Sequence, residues 1–219
     1  RFFFNFFDKV KNRANSVFPF EYNKVIEFNN EFSELLKKDA FLARSDYSFL
    51  LTKYDDIYVF FNSCKTALTL EFYCKQNKIN KKEIETFLQA YEDIKDLRKG
   101  SSIINKHNEQ YIISHLKNEK TYFDVILQEI DRNILLDEEQ RRVVLSDEDY
   151  TLIIAGAGAG KTTTIAAKVR YLVEKKHVDP KQILVISFTN KAVGELKERI
   201  NDGLKIPCPI TTFHSAGYA

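Results

Sequence analysis

Apolar residues recur at helical spacing through the first 130 residues. Tyr22, Val25, Ile26, Phe32, Leu35 and Leu36 fall on one helical face, as do Leu50, Tyr54, Ile57, Tyr58, Phe61 and Leu68. Asn80 followed by Glu83 predicts a capping box, opening a helix with Ile84, Phe87, Leu88, Tyr91 and Ile94 on one side. Gly100 predicts its stop. A last helix is predicted to carry Tyr111, Ile112, Leu116, Phe123, Ile126, Leu127 and Ile130. Neither Gly nor Pro occurs between Pro19 and Gly100, a gap that only helices fill comfortably. Residues 1–130 therefore predict an all-helical region.

From residue 131 the period changes. Thr151 to Ala155 is a short apolar run that predicts a buried strand entering a Gly-rich turn. Ile165 to Val173 predicts a helix, Ile183 to Ile186 a second buried strand after Asp179 and Pro180, Ala192 to Ile200 a helix, and Ile210 to Phe213 a third strand. Strand, helix, strand, helix, strand is the opening of an α/β domain with a parallel sheet. Residues 131–219 are expected to be an incomplete part of that domain.

Composition sharpens the division. Of 18 Phe, 16 lie before residue 131, whereas six of the seven Gly fall between Gly156 and Gly217. Aromatic stripes at helical spacing predict packed cores ahead of a nucleic-acid platform. Charge does not separate the halves, and with 33 Lys+Arg against 31 Asp+Glu the net charge of +2 excludes a general electrostatic sponge for nucleic acid. Any such contact must come from a local arrangement. No stretch approaches the roughly 18 apolar residues of a membrane span, and the Phe-rich start, Arg1 to Phe7, is too short an apolar region for a signal peptide. Cys64, Cys74 and Cys208 have no metal-like spacing and fit reduced thiols, so a cytoplasmic protein without a membrane partner is expected.

The chemistry concentrates in Ala155-Gly156-Ala157-Gly158-Ala159-Gly160-Lys161-Thr162-Thr163. A triphosphate is densely negative, and binding it needs converging backbone N–H groups that large side chains would obstruct. Alternating Gly and Ala lets the loop wrap closely, and the following helix aims its first N–H groups at the phosphates. Lys161 is expected to neutralise the β- and γ-phosphates and the Thr162 hydroxyl to hold Mg²⁺. The strict pattern has Gly where Ala155 stands. The bland alternative is a small-residue loop that packs a strand against a helix.

The flanks narrow the choice among the many enzymes that use such a loop. Upstream stands Leu136-Asp137-Glu138-Glu139-Gln140-Arg141-Arg142-Val143-Val144; downstream stand Ser187-Phe188-Thr189-Asn190-Lys191-Ala192 and Thr211-Thr212-Phe213-His214-Ser215. In this order and spacing, over about residues 133 to 219, the chain resembles the start of the first motor domain of UvrD/Rep/PcrA-type superfamily 1 DNA helicases. The long helical leader is most similar to the DNA helicase IV branch.

The resemblance implies a RecA-like P-loop NTPase domain, ATP as nucleotide, and a role for several residues. Gln140 matches the family's adenine-reading glutamine, whose amide offers both a donor and an acceptor to the base edge. Arg199 matches an arginine near the adenine, suited to stacking; an exposed helix Arg is the alternative. Thr163 stands where relatives often have Arg. Phe188, Thr189 and Asn190 match a single-stranded-DNA motif in which an aromatic ring supplies a stacking platform; a buried Phe ending a strand is the alternative. Thr212, Phe213, His214 and Ser215 match the next DNA-contacting motif, whose hydroxyls and imidazole position a phosphate without reading bases.

The acidic pair and arginine fingers that complete such a site are not found in these residues, so the expectation is an amino-terminal piece of a longer enzyme, inactive alone. The implied activity is ATP-dependent translocation on single-stranded DNA with unwinding at duplex junctions, three-prime to five-prime. Two other readings stay open: a helicase-like ATPase that remodels RNA polymerase or another protein docked on the helical region, and a small-molecule kinase, which leaves the Gln140 and Phe188 motifs unexplained.

Overall fold

The computed structural model describes residues 22–63, 80–156 and 158–217. Leu68, Cys64, Cys74, the Phe-rich start, Ala157 and the side chains of Tyr22 and Phe61 lie outside the described residues. The described chain is mostly helical with one small parallel sheet. It divides into two compact units, residues 1–109 and 110–219.

The first unit contains α1 (Tyr22–Leu36), α2 (Arg44–Lys53), α3 (Asp55–Ser63), α4 (Lys81–Lys99) and the start of α5 (Ser102–Asn118). The predicted apolar stripes meet in its core: Val25, Phe28 and Phe32 of α1, Leu50 of α2, Ile57 and Phe60 of α3, and Phe87, Ala90, Ile94 and Leu97 of α4 are all buried. Phe28 meets the Tyr54 ring edge-on at 5.2 Å and stacks on Phe32 at 5.6 Å, geometries that rings favour over a face-to-face sandwich. The capping box forms as the sequence predicts, with Asn80 Oδ1 accepting from the Glu83 N–H at 3.0 Å and Glu83 accepting from the Asn80 N–H at 2.8 Å. Gly100 ends α4 at φ +125°. Asp96 reaches across this turn and accepts from the Ser102 and Ile103 N–H groups and the Ser102 hydroxyl, so one helix caps the start of the next. Buried Asn108 pairs its amide with both the N–H and the C=O of Leu42, at 2.8 and 3.0 Å.

The second unit runs through the rest of α5, α6 (Lys120–Val125), α7 (Glu138–Leu145), α8 (Lys161–Glu174), β1 (Val185–Ser187), α9 (Asn190–Lys197), a π-helical turn (Glu198–Gly203), β2 (Ile210–Thr212) and α10 (Phe213–Ala216). Strands β1 and β2 pair in parallel, with Val185 opposite Ile210 and Ser187 opposite Thr212. The connection between them carries α9, as parallel pairing requires.

Two expectations are corrected. The helix predicted over Tyr111 to Ile130 breaks at Glu119 and ends at Val125. Side chains past the break pack within the second unit. Phe123 stacks on Tyr171 at 6.0 Å, Asp124 pairs with Arg141 at 2.7 Å, and Ile130 lies against Gly203. Finally, Thr151 to Ala155 forms no strand, and Leu152 and Ile154 are 87% and 90% exposed. A strand exists only through a neighbour's hydrogen bonds, and β1 and β2 pair with each other alone among the described residues.

Candidate functional site

The Gly–Ala loop leads directly into α8, which begins at Lys161, four residues earlier than the apolar period indicates. Gly158 and Gly160 sit at φ +79° and +74°, a left-handed region that residues with a Cβ enter at a cost. A Cβ on Gly160 would also meet Gln140 Nε2 at 2.4 Å, displacing the flexible end of that side chain. Gly156, Gly158 and Ala159 are exposed, and no described residue lies within 4 Å of a Cβ built on Gly156 or Gly158. Gly160 is the N-cap of α8 and contributes no capping side chain. The first-turn N–H groups of α8 have no acceptor within their own helix and add their dipole at the loop.

Lys161 folds over this loop, its Nζ donating to the carbonyls of Ala155 at 3.0 Å and Gly156 at 2.6 Å. Thr162 and Thr163 are half-buried in the first turn of α8. A cation, a glycine-rich turn, an uncapped helix start and a hydroxyl thus share one place. That is the donor set for a phosphate chain, with the Thr162 hydroxyl available to a divalent cation.

Gln140 is brought to the same place by α7. Asp137 caps this helix: its Oδ1 accepts from the Gln140 N–H at 2.8 Å, while Gln140 Oε1 accepts from the Asp137 N–H at 3.1 Å. The Gln140 Nε2 then approaches the Ala159 carbonyl at 3.5 Å. From the other side, the π-helical turn presents Arg199, whose Nη1 donates to the Thr163 hydroxyl at 3.2 Å. The structure therefore gathers Gln140, Ala155, Gly156, Gly158, Ala159, Gly160, Lys161, Thr162, Thr163 and Arg199 around one loop.

A second cluster forms at the carboxyl ends of the two strands. Because Ser187 pairs with Thr212, the next residues, Phe188 and Phe213, leave the sheet at the same level. Both rings face solvent, at 81% and 70% exposure. Phe188 is not part of the core of the described residues. Thr189 caps α9 by accepting from the Ala192 N–H at 3.2 Å. Thr212 caps α10, accepting from the Ser215 N–H at 3.2 Å and donating to the Ser215 hydroxyl at 3.0 Å. Asn190 and His214 are exposed beside them. Helix α9 physically joins the clusters, since it starts just after Phe188 and runs into the turn that carries Arg199.

Residues not singled out from the sequence hold this arrangement. Arg141 donates to the Leu136 carbonyl at 2.9 Å and to Asp124, fixing the start of α7. Lys168 of α8 donates to the Val144 carbonyl at 2.9 Å and the Ser146 carbonyl at 2.6 Å at the other end of α7. Burial pushes the Lys168 ammonium below the ordinary lysine range, against the opposing pull of Asp147. One signal was present in the sequence: Asp137 and Gln140 have capping-box spacing.

Residues 136–219 match the family model of the UvrD/REP helicase N-terminal domain. A probable DNA helicase II homolog of Mycoplasma capricolum is 48% identical over 85 residues, which are 37% of this chain and 12% of that relative. The ATP-dependent DNA helicase UvrD1 of Mycobacterium leprae is 42% identical over 84 residues, 36% of this chain and 11% of the relative. The ATP-dependent DNA helicase PcrA of Staphylococcus aureus is 40% identical over 83 residues, 36% and 11% of the two chains. The matched segment thus spans about an eighth or less of each of these relatives.

Proposed function

Residues 136–219 match the UvrD/REP helicase N-terminal domain, and from this premise we propose that the chain supplies the ATP-binding loop and the first single-strand contacts of an ATP-dependent DNA helicase. The observation that carries this reading is the gathering of Gln140, Lys161, Thr162 and Arg199 around one open glycine loop.

In this reading, residues 131–219 are the first part of a RecA-like motor domain and residues 1–130 a helical accessory region. Backbone N–H groups of residues 156–160 and of the first turn of α8 hold the phosphates. Lys161 exchanges its bonds to the Ala155 and Gly156 carbonyls for the β- and γ-phosphate oxygens, a charge-assisted contact that outweighs two neutral acceptors. Thr162 holds Mg²⁺, which when bound offsets charge on those oxygens. Gln140, whose Nε2 lies at the loop, exchanges the bond of its Oε1 to the Asp137 N–H for the adenine edge, and Arg199 stacks on the ring. Phe188 and Phe213 stack on bases, while Thr189, Asn190, Thr212, His214 and Ser215 hold the strand's phosphates and sugars. Base stacking is indifferent to sequence, as movement along a strand demands.

The coupling element is α9, with its DNA-facing end at Phe188 and its nucleotide-facing end at Arg199. A change in ATP occupancy that moves Arg199 is transmitted along this helix to the stacking rings. Unwinding and three-prime to five-prime movement belong to the full-length enzyme. Its test measures ATP hydrolysis with and without single-stranded DNA, and displacement of a strand from a duplex junction. Hydrolysis stimulated by single strands and lost in Lys161→Ala supports the reading; hydrolysis indifferent to DNA overturns it.

A further inference from the structure

We propose that Lys168 is a positioning residue for base selection, acting through α7 on Gln140; this inference rests on the reading of Gln140 as the adenine-contacting residue. Helix α7 is short, running from Glu138 to Leu145, and makes its closest packing with α8. Its last carbonyls have no partners within the helix. Lys168 satisfies two carbonyls at this end, those of Val144 and Ser146, with a side chain that is only 26% exposed. Asp147 completes the clasp, lying 3.8 Å from Lys168 and 3.1 Å from Lys176. A largely buried ammonium costs free energy unless it is well bonded, so these carbonyls fix where the end of α7 lies on α8.

The geometry converts that fixation into specificity. Lys168 lies seven residues, about two helical turns, beyond Lys161 on the same helix. The phosphate-binding lysine and the clasp are therefore parts of one rigid rod. Gln140 lies one turn before Val144 on α7, and its Nε2 sits where a Cβ on Gly160 would come within 2.4 Å. The Ala159 carbonyl, 3.5 Å from Gln140 Nε2, meets a shift of α7 toward the loop, and Lys168 prevents it from drifting away. Arg141 holds the opposite end of α7 through the Leu136 carbonyl. Without Lys168 the Gln140 amide loses its register against the base, while the phosphate loop, built from residues 155–162, stays intact.

The test compares ATP, GTP and inorganic tripolyphosphate as ligands of the 219-residue chain and of Lys168→Met, Gln140→Ala and the double variant. Lys168→Met is expected to bind ATP about fivefold to tenfold more weakly, a loss of the size of one hydrogen bond to a polar edge. Tripolyphosphate affinity stays unchanged, so the preference for ATP over GTP falls. The double variant is expected to be no worse than Gln140→Ala, because both remove the same contact. Lys168→Arg, which retains donors for both carbonyls, is expected to recover most of the preference. If Lys168→Met does not fold by its melting curve, the shorter Lys168→Gln serves the same comparison. A preference kept in Lys168→Met, or a double variant weaker by the product of both effects, overturns the role of Lys168. A wild-type chain that binds tripolyphosphate but not ATP preferentially overturns the reading of Gln140 itself.

Discussion

Arg199 and Thr163 are 36 residues apart in the chain, yet the guanidinium Nη1 of one donates to the hydroxyl of the other at 3.2 Å. This bond ties the turn after α9 to the first turn of α8, directly beside Thr162. The short Thr163 thus receives an arginine from another element.

Arg199→Ala is expected to weaken ATP binding about twofold to fivefold, the effect of losing a cation from the face of a ring, near 0.5–1 kcal/mol. Tripolyphosphate binding should not change. Thr163→Val removes only the acceptor and leaves Arg199 free to stack, so its ATP affinity is expected to stay within about twofold of wild type. Isothermal titration with both ligands checks this, and equal losses for ATP and tripolyphosphate in Arg199→Ala would place the arginine on the phosphates.

The exposure of Phe188 and Phe213 makes a separable prediction. Each Phe→Ala change is expected to weaken single-strand binding by about 1–3 kcal/mol, roughly 5- to 150-fold. Since both rings already face solvent, the melting temperature should barely move. Truncating a core Phe instead costs about 3–5 kcal/mol of stability. A large fall in melting temperature with normal DNA affinity contradicts the platform.

Much of this site was legible because it is made of local chemistry. The glycine loop, the helix that follows it and the Asn80 capping box depend on neighbours in sequence, and the structure forms them. The apolar run Thr151 to Ala155 was misleading because a strand depends on a partner that local pattern does not contain. The helix expected to run on to Ile130 failed similarly: the break at Glu119 and the stacking of Phe123 on Tyr171 are tertiary facts. Lys168 reads in sequence as one more helical lysine. Only the folded chain shows that its ammonium meets two carbonyls of another helix.

The helical unit has its own pH signature at Asp96. Burial pushes its carboxyl up, but the N–H groups of Ile103 and Ser102 and the Ser102 hydroxyl outweigh it and hold it below the ordinary aspartate range. A group depressed in the folded state stabilises above its unfolded pKa, about 3.9, and that contribution is lost as pH falls through the folded value. Asp96→Ala is expected to cost about 0.5–2 kcal/mol at neutral pH, as removal of a helix cap does. The gap from wild type should narrow as the pH drops below about 4. Melting curves from pH 7 to pH 2.5 check this; a constant gap contradicts it.

Turnover is expected to need more than these residues. The matched segment covers about an eighth or less of each relative, and Thr162 is the one residue proposed to hold Mg²⁺. The 219-residue chain with ATP, Mg²⁺ and single-stranded DNA is expected to release no phosphate above its own Lys161→Ala control. Sustained release that the control lacks would show that the chain carries a complete catalytic site.

The central claim is that the loop from Ala155 to Thr163 binds the phosphates of ATP, with Lys161 as their cation. The most direct measurement is an equilibrium titration of ATP and Mg²⁺ into the 219-residue chain and into Lys161→Ala, with melting curves of both. The account predicts saturable one-to-one binding, at least about tenfold weaker in Lys161→Ala, the loss of about 1.4 kcal/mol or more expected for a charge-assisted contact. The melting temperature without nucleotide should be nearly the same in both. Equal ATP affinity in the two folded proteins would contradict it.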